Sequence, residues 1–415
     1  MADRRRIMYV DLAQGVGGSL VSLSLLVAAL DRERYEPEVI LIADNPYCQR
    51  FRDLGVRVLT VPGRPGLIAP GPDAPVVASA RRSRLAAWLR RGRRRAAWLH
   101  GVGFVVRNLP AAWSTARAVR RILERERPAL IHLNDAVAIA RAGAMAALGM
   151  GIPTLAHVRA FTPLNSFDRW LARRVDGFIF ISQATADFQS HLGVRARRSW
   201  IIPNGLDLAT FAELPSVAAA RARLGLPTEG PVVGTVGRLV AWKGHDVFLR
   251  ALAQMAPAWP GLRGLIVGAP EKHDLRPEAK LRALAAGLGL AERVCFTGYR
   301  SDVPQVLPAM DVFVHAAVEP EPFGRVIIEA MAARVPVVAA CAGAVPEIMD
   351  DGATGLLVAP GDVTGLAAAV ARLLEDRALA RRLAEAGRQR VEQCYTAQGT
   401  ALAVQRVYEE VLCSG

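Results

Sequence analysis

The chain has 415 residues, of which 52% are hydrophobic, and it carries a formal net charge of +14. This length predicts two domains, and the hydrophobic fraction is enough for two buried cores, which is not the composition of a disordered chain. The five cysteines are scattered without paired spacing, so we expect reduced thiols in a cytoplasmic protein and neither a disulfide framework nor a zinc site.

The first predicted element is a short buried strand from Ile7 to Val10, followed by a glycine-rich loop and a helix that starts at Ser19. The arginines before this strand are typical of a signal peptide, but Asp11 interrupts the apolar run and the glycines break it. No apolar stretch reaches the roughly 20 residues needed to span a bilayer. We therefore expect a protein that is not integral to a membrane.

The loop Gly15-Val16-Gly17-Gly18 lies at the first strand–helix junction. Tight turns between a strand and a helix use glycine in any case, so the loop is a weak signal by itself. It also permits an NAD-dependent oxidoreductase, because Asp44 closes the second predicted strand, where an acidic residue would hold a ribose. The loop lacks the full glycine spacing of a dinucleotide-binding fingerprint, and this alternative leaves charged motifs farther along the chain unused.

Much of the positive charge lies in one segment, from Arg81 to Trp98. On a helix, Leu85, Trp88 and Leu89 would share one face while arginines cover the others. Such a segment favours an anionic membrane surface, and a solvated arginine-rich surface helix fits the same pattern equally well. Nucleic-acid binding is not expected, because the recognition motifs and stacking aromatic residues that would support it are missing.

Short, mostly apolar β-rich runs alternate with helical stretches along the chain. This alternation is typical of parallel sheets in doubly wound α/β layers. Between Pro203 and Pro231 prolines and glycines cluster, and we predict a linker between two Rossmann-like halves there. The predicted strands are 7–10, 38–42, 56–61, 129–132, 154–157, 177–181, 199–202, 232–236, 263–267, 293–296, 312–315, 335–339 and 355–358.

One histidine, His157, ends a predicted apolar strand of the first half and is followed by Arg159. A side chain at the carboxyl end of a parallel strand is placed to meet a ligand. Most isolated histidines are structural, so the pattern alone leaves both roles open.

The second half opens with a strand that ends in Gly237-Arg238 and is followed by Lys243-Gly244. A glycine turn after the first strand lets a ligand approach the backbone, and two cations in one loop suit a diphosphate. The chain's default cation is arginine, so a lysine at position 243 suggests that a compact ammonium group is needed there. Ordinary surface charge on a loop is the other explanation.

The stretch from Glu321 to Glu329 places two glutamates around a loop-to-helix junction. Pro322 and Gly324 force an irregular turn, and the amides at the start of the following helix attract phosphate. A carboxylate on each side of the turn can reach hydroxyls of a ligand whose phosphates meet the amides. A nucleotide sugar has this layout, although a helix with ordinary acidic residues near its start has the same pattern.

No metal site is expected, because the sequence contains no Asp-x-Asp pair and its histidines do not fall at ligand spacing. A serine-hydrolase elbow of the Gly-x-Ser-x-Gly kind is also missing.

Taken together, these motifs resemble the family-4 retaining glycosyltransferases of the GT-B fold, the glycosyl transferases group 1. The resemblance is close from about Pro231 to Pro360 and looser in the first half. It also covers Phe296-Thr297-Gly298-Tyr299, Asp311 to His315, Pro346-Glu347-Ile348, Ile181-Ser182 and Pro203-Asn204-Gly205-Leu206-Asp207.

The resemblance implies an α/β protein of two Rossmann-like domains, whose doubly wound parallel sheets face each other across a cleft. Residues 1–205 would form an acceptor-side domain and residues 206–390 a nucleotide-sugar-binding domain. Residues 391–415 would form a C-terminal helix that crosses back to the first domain.

For the donor, the resemblance implies that Arg238 and Lys243 bind the diphosphate and offset charge on the departing nucleotide. Glu321 would contact the donor sugar, and Glu329 would hold the ribose hydroxyls.

Further implied roles fall on backbone groups and on one histidine. The amides of Phe323, Gly324 and Arg325 would approach sugar and phosphate. Gly17 and Gly18 would let the first domain close over the diphosphate, and His157 would lie beside donor sugar and acceptor. We therefore regard four residues as candidate catalytic residues: His157, Arg238, Lys243 and Glu321.

The reaction implied by the resemblance is retaining and needs no metal or other cofactor besides the nucleotide sugar as co-substrate. We expect a glycan or lipid-linked acceptor of the cell envelope or an exopolysaccharide, met at the cytoplasmic face of the membrane through the segment from Arg81 to Trp98. The alternatives are the NAD-dependent oxidoreductase and a non-catalytic partner subunit with the same fold. Arg325 at a helix start is electrostatically unfavourable unless it is paired, so we expect it to meet an acidic neighbour or a phosphate.

Overall fold

The computed structural model describes residues 4–12, 17–43, 45–62, 112–270 and 274–413. The chain divides into two compact units, one formed by Met1–Ile202 with Ala401–Gly415 and the other by Pro203–Thr400. Three features predicted above lie outside the described residues, namely Gly15, Asp44 and the segment from Arg81 to Trp98.

Unit 1 contains a parallel sheet that has seven strands in the described residues, in the order β3-β2-β1-β4-β5-β6-β7. The strand order reverses between β1 and β4, which is where ligands bind in open sheets of this kind. The strands are β1 (Arg5–Asp11), β2 (Tyr35–Ile42), β3 (Arg57–Val61), β4 (Leu130–Leu133), β5 (Thr154–Val158), β6 (Gly177–Phe180) and β7 (Ser199–Ile201). The helices are α1 (Gly18–Ala28), α2 (Tyr47–Asp53), α3 (112–126), α4 (Arg141–Ala147), α5 (Ser166–Ala172) and α6 (Gln183–His191).

Unit 2 contains a parallel sheet with six strands in the part of the chain described, in the order β10-β9-β8-β11-β12-β13. Its order reverses between β8 and β11. The strands are β8 (Val232–Val236), β9 (Arg263–Val267), β10 (Val294–Phe296), β11 (Val312–His315), β12 (Val337–Ala340) and β13 (Leu356–Val358). The helices are α7 (Val217–Arg223), α8 (His245–Met255), α9 (Arg276–Gly287), α10 (Val303–Val306), α11 (Arg325–Ala332), α12 (Val345–Ile348), α13 (Val363–Glu375) and α14 (Arg377–Cys394).

The last helix, α15 (Ala397–Leu412), begins in unit 2 and returns to unit 1. Its buried positions recur every three or four residues, so they form one face, which joins a core built from strands β1 and β2 and helix α1. These positions are Ala401, Val404, Val407, Tyr408 and Val411. The residues from 391 to 394, predicted as part of the returning helix, belong to α14 instead.

Every predicted strand is present, with ends shifted by at most three residues, and the predicted doubly wound parallel sheets are confirmed. The prediction of a linker from 203 to 231 is wrong, because this segment belongs to unit 2 and contains α7. Arg221 of that helix is buried and donates to the carbonyl oxygen of Ala309 at 3.1 Å and to Asp311 Oδ2 at 2.7 Å. The prolines and glycines therefore mark turns on either side of a packed helix.

None of the helices in the described ranges is long and apolar enough to cross a membrane.

Candidate functional site

Glu321 lies in the loop between β11 and α11, and its backbone is fixed by a second loop. The Ala344 amide donates to the Glu321 carbonyl at 2.8 Å. Gly343 has a φ of +64°, and a Cβ there would lie 2.3 Å from the same carbonyl oxygen. Only glycine allows this approach, so the loop after β12 determines where the Glu321 side chain starts.

The Glu321 carboxylate is buried, and its Oε2 accepts hydrogen bonds from Lys243 Nζ at 2.5 Å and from His315 Nε2 at 2.9 Å. Burial by itself raises the pKa of Glu321. The Lys243 ammonium and the His315 hydrogen bond outweigh burial and lower this pKa to about 2. Burial also lowers the pKa of His315, so this histidine is neutral at pH 7 and its single proton, on Nε2, faces the carboxylate.

Lys243 is held at the end of a 3₁₀ turn, Ala241–Lys243, by a close backbone contact. Gly244 has a φ of +66°, and a Cβ at this position would lie 1.9 Å from the Ala316 carbonyl oxygen. The Lys243 ammonium also lies 4.2 Å from the centroid of the Trp242 ring. The lysine is therefore fixed from three sides, by the turn, by the indole ring and by Glu321.

Arg238 follows β8 and is exposed, while its backbone is part of a fixed loop. The Arg238 carbonyl accepts a hydrogen bond from His245 Nε2 at 2.9 Å, and the Gly237 amide donates to the Val267 carbonyl at 2.9 Å. A Cβ at Gly268 would lie 1.9 Å from the Gly237 carbonyl oxygen. A rigid loop thus presents a cationic side chain at the carboxyl end of the sheet.

Helix α11 starts immediately after Gly324, whose φ is +97°. Phe323 is buried, with its ring centroid 6.0 Å from that of Tyr395, so it anchors the turn. Arg325 Nη2 lies 3.0 Å from Glu329 Oε1, and the two side chains are 18% and 14% exposed. The prediction that Arg325 meets an acidic neighbour is confirmed.

Three of the predicted residues lie in unit 1. Gly17 is the residue before α1 and Gly18 is its first residue, and no side chain caps this helix start. His157 lies in β5 and is fully buried. Its Nδ1 is 3.2 Å from His132 Nε2 and 3.2 Å from Arg159 Nη2. Burial, then the Arg159 charge and His132, lower the pKa of His157 well below its usual value.

The structure brings some predicted residues together and adds others. Lys243 contacts Glu321 and Arg325 contacts Glu329, whereas Gly17, Gly18 and His157 belong to a different unit. Four further residues, for which the sequence predicted no role, are His315, His132, Asn134 and Arg159. Each of them is one of the last two residues of a parallel strand or follows it directly, and that position was the available signal.

Among the residues that the structure describes, no three histidine, cysteine or acidic side chains are grouped as ligands of a metal ion would be.

Two family models match the chain. The model described as Glycosyltransferase Family 4 matches residues 16–210, and the model described as Glycosyl transferases group 1 matches residues 216–390. The second of these ranges contains Arg238, Lys243, Glu321 and Glu329.

Individual proteins match over much of the chain. A 2-deoxystreptamine glucosyltransferase of Streptomyces kanamyceticus is 32% identical over 333 residues, which is 73% of this chain and 84% of that protein. The lipopolysaccharide core biosynthesis mannosyltransferase LpsB of Rhizobium meliloti is 31% identical over 250 residues, 60% of this chain and 69% of that one. The crystal structure of Anabaena HepE in complex with UDP-glucose is 26% identical, with a TM-score of 0.77, and covers 98% of this chain and 100% of that one.

These similarities do not favour the oxidoreductase alternative, whose Asp44 lies outside the described residues. The expected family and fold are confirmed. The chain belongs to the glycosyl transferases group 1, and it is a glycosyltransferase with the GT-B fold.

Proposed function

We propose that this protein transfers a sugar from a nucleoside-diphosphate sugar to a hydroxyl group of a glycan or lipid-linked acceptor, with retention of anomeric configuration and without a metal ion. Anabaena HepE was solved with UDP-glucose, which supports a donor of this class. The name of the Rhizobium relative, a mannosyltransferase of lipopolysaccharide core biosynthesis, supports an acceptor in the cell envelope.

The observation that carries the donor assignment is the contact between Glu321 and Lys243. In a nucleotide sugar, the sugar hydroxyls lie next to the first phosphate. A carboxylate that accepts from hydroxyls and an ammonium group that binds phosphate must therefore be neighbours, and these two groups are 2.5 Å apart. Because Glu321 has a pKa of about 2, it is an acceptor at any physiological pH.

The departing nucleoside diphosphate gains negative charge as its bond to the sugar breaks. Lys243 and Arg238 offset this charge, and the amides at the start of α11 add fixed dipoles aimed at a phosphate. Rigid donors of this kind stabilise the transition state without reorganising, and loss of one such group costs about 10²–10³ in kcat. Glu329, next to Arg325, is assigned to the ribose hydroxyls.

Retention follows if the acceptor oxygen attacks the anomeric carbon on the face from which the diphosphate leaves. The bond from the anomeric carbon to the phosphate oxygen breaks, and the bond to the acceptor oxygen forms. The acceptor proton passes to the departing phosphate oxygen, so no protein base is needed. In unit 1, we assign Gly17 and Gly18 to close approach of the diphosphate to the backbone, and His157 to a sugar or acceptor oxygen.

The donor class is tested by thermal unfolding with a panel of nucleoside diphosphates and their sugars. A ligand held by the folded protein raises the unfolding temperature increasingly as its concentration exceeds its dissociation constant. NADH is the control ligand for the oxidoreductase alternative, and stabilisation by NADH alone would reject the proposal.

The site is tested by turnover of Lys243→Ala and Glu321→Ala, with Lys280→Ala and Glu319→Ala as controls at exposed positions. We expect both site variants to lose at least about 100-fold in kcat and both controls to retain activity. Near-normal turnover of both site variants would remove the assignment.

Retention of anomeric configuration and independence of a metal ion are tested by separate measurements. Nuclear magnetic resonance of the new glycosidic linkage should show the donor's anomeric configuration, and turnover should persist in excess EDTA. An inverted linkage or loss of turnover in EDTA that added metal restores would reject the corresponding clause.

We also propose that the segment from Arg81 to Trp98 binds an anionic membrane surface, where a lipid-linked acceptor would be met. Sedimentation with liposomes that contain an anionic lipid tests this clause at low salt. Equal sedimentation with neutral liposomes, or none with either, would remove it.

A further inference from the structure

A chain of buried hydrogen-bonding groups runs through unit 1 from the end of β1, across β4 and β5, to helix α15. We call it the His157 chain. Its members are Asp11, Asn134, Arg159, His157, His132, Tyr408 and Tyr9, all buried. A buried donor that faces a donor, or an acceptor that faces an acceptor, is strongly unfavourable, so the direction of each bond can be deduced from its neighbours.

At the Asp11 end of the His157 chain, charged groups determine which atom donates in each hydrogen bond. The Asp11 carboxylate only accepts, so Asn134 Nδ2 donates to its Oδ2 at 2.7 Å. Asn134 Oδ1 then accepts from Arg159 Nε at 2.8 Å. The guanidinium group only donates, and its Nη2 lies 3.2 Å from His157 Nδ1. This ring nitrogen is therefore an unprotonated acceptor.

The donors and acceptors at the Tyr9 end follow, because His157 Nδ1 is an acceptor. His132 Nε2 lies 3.2 Å from His157 Nδ1, so it must carry the proton and donate. Burial, and then the charge of Arg159, lower the pKa of His132 to about 3, so the ring is neutral and has no second proton. Its Nδ1 accepts from the Tyr408 hydroxyl at 2.7 Å. The Tyr9 hydroxyl, 3.0 Å from that of Tyr408, rotates to supply the donor in this last pair.

The remaining proton of His157 is now located. The pKa of His157 lies well below its usual value, so the ring is neutral at pH 7 and its single proton is on Nε2. This atom is buried and makes no hydrogen bond within the described residues. Every other ring nitrogen of the His157 chain is paired.

We infer that Arg159 and Tyr408 are positioning residues, which hold His157 as a hydrogen-bond donor through Nε2. The Nδ1 lone pair is already used by Arg159 and His132, and Nε2 carries a proton, so His157 does not act as a general base. An oxygen of the sugar donor or acceptor is the matching partner, and only this last clause rests on the proposed function. Through Tyr408, helix α15 takes part in determining which ring nitrogen of His157 carries the proton.

The proton positions are read directly from the full-length protein labelled with ¹⁵N-histidine. Long-range ¹H–¹⁵N correlations identify the protonated ring nitrogens, and a His132→Gln variant assigns the signals. We expect His132 and His157 to be neutral and protonated on Nε2 at pH 7. A His157 ring protonated on Nδ1, or on both nitrogens, would overturn the inference.

The role of Tyr408 is tested by Tyr408→Phe, with Tyr35→Phe as the matched control. The Tyr35 hydroxyl also contacts α15, at 3.3 Å from Glu409 Oε1, but it is not a member of the His157 chain. In Tyr408→Phe we expect the His132 Nδ1 signal to move to the position of a ring nitrogen that accepts no hydrogen bond. We also expect kcat of transfer to fall about tenfold, as loss of a buried hydrogen bond predicts. Binding of the preferred nucleoside diphosphate should change less than twofold.

The nitrogen signals are measured without substrate, so they test the inference even if the protein's reaction is not the one proposed. An unchanged His132 Nδ1 signal in Tyr408→Phe would contradict the inference, whatever happens to kcat. The same change of signal in Tyr35→Phe would also contradict it, because general loosening of α15 would then be the cause.

Discussion

Lys243 Nζ and Glu321 Oε2 are in contact at 2.5 Å although the two residues are 78 positions apart in the sequence. Both side chains are largely buried, at 14% and 10% exposure. Their attraction is therefore weakly screened, and each charge depends on the other for its stability in this environment. This contact links the loop after β8 with the loop after β11.

The energetic coupling of this pair can be measured by a double-mutant cycle. We expect Lys243→Met to lower the free energy of unfolding by about 3 kcal/mol, because it leaves a buried carboxylate that keeps His315 as a partner but has lost its cation. Glu321→Gln should restore part of this loss in the double variant, with a coupling energy of roughly 2 kcal/mol. Urea unfolding of the four proteins gives these values. Additive effects within error would show that the pair contributes no net coupling.

The same pair predicts a specific dependence on pH. The pKa of Glu321 in the folded protein is about 2, below its ordinary value of 4.5. Its contribution to stability is therefore fully present above pH 4.5 and is lost as the pH falls through 2, a total of about 3 kcal/mol. The difference in unfolding free energy between the wild type and Glu321→Gln should shrink between pH 5 and about 2.5. A constant difference over this range would contradict the prediction.

Gly244 should be intolerant of a side chain for a reason beyond its φ. A Cβ there would meet the Ala316 carbonyl oxygen at 1.9 Å, whereas Gly289, with a similar φ of +72°, has nothing within 4 Å. We expect Gly289→Ala to cost about 1 kcal/mol from backbone strain alone. Gly244→Ala should cost roughly 2 kcal/mol more, because the loop must move. It should also lower kcat by displacing Lys243. Equal losses of stability would show that the contact relaxes easily.

Glu329 should bind the ribose hydroxyls of the nucleotide. We expect Glu329→Gln to weaken binding of the preferred nucleoside diphosphate about tenfold, as loss of a hydrogen bond to a charged group predicts. The same substitution should weaken binding of the 2′-deoxy form of this diphosphate less, since that form lacks one of the ribose hydroxyls. Calorimetry with both nucleotides checks this. Glu385→Gln, which removes the acidic partner of Arg334 on the surface, is the control for loss of a charge. Equal weakening of both nucleotides would assign Glu329 a purely structural role.

The strand pattern was predictable because it depends on local sequence. Short apolar runs rich in valine, such as Val232–Val236 and Val312–His315, are typical of buried parallel strands, and the structure contains strands at these positions. Pro322 and Gly324 likewise locate the turn before α11. The segment around α7 was misjudged because its prolines and glycines flank a short helix. The burial of Ala220 and Arg221 and the hydrogen bonds of Arg221 show that this helix is packed.

The partners of the site residues required the tertiary structure. His315 and Glu321 are close in sequence, but their hydrogen bond depends on a loop held by Gly343. The hydrogen bonds of the His157 chain, from Arg159 through His157 to Tyr408, join strands β4 and β5 to helix α15, which is more than 200 positions away in the sequence. No local pattern encodes them.

By itself, the sequence determined the fold class and the family, and it predicted the residues of a donor site, because periodicity, turn residues and charged motifs are local properties. Only the tertiary structure decided which charge faces which, that Glu321 is held ionised by Lys243 and His315, and where the proton of His157 lies. Those outcomes depend on burial and on distances between atoms of separate elements, and both are properties of the packed chain.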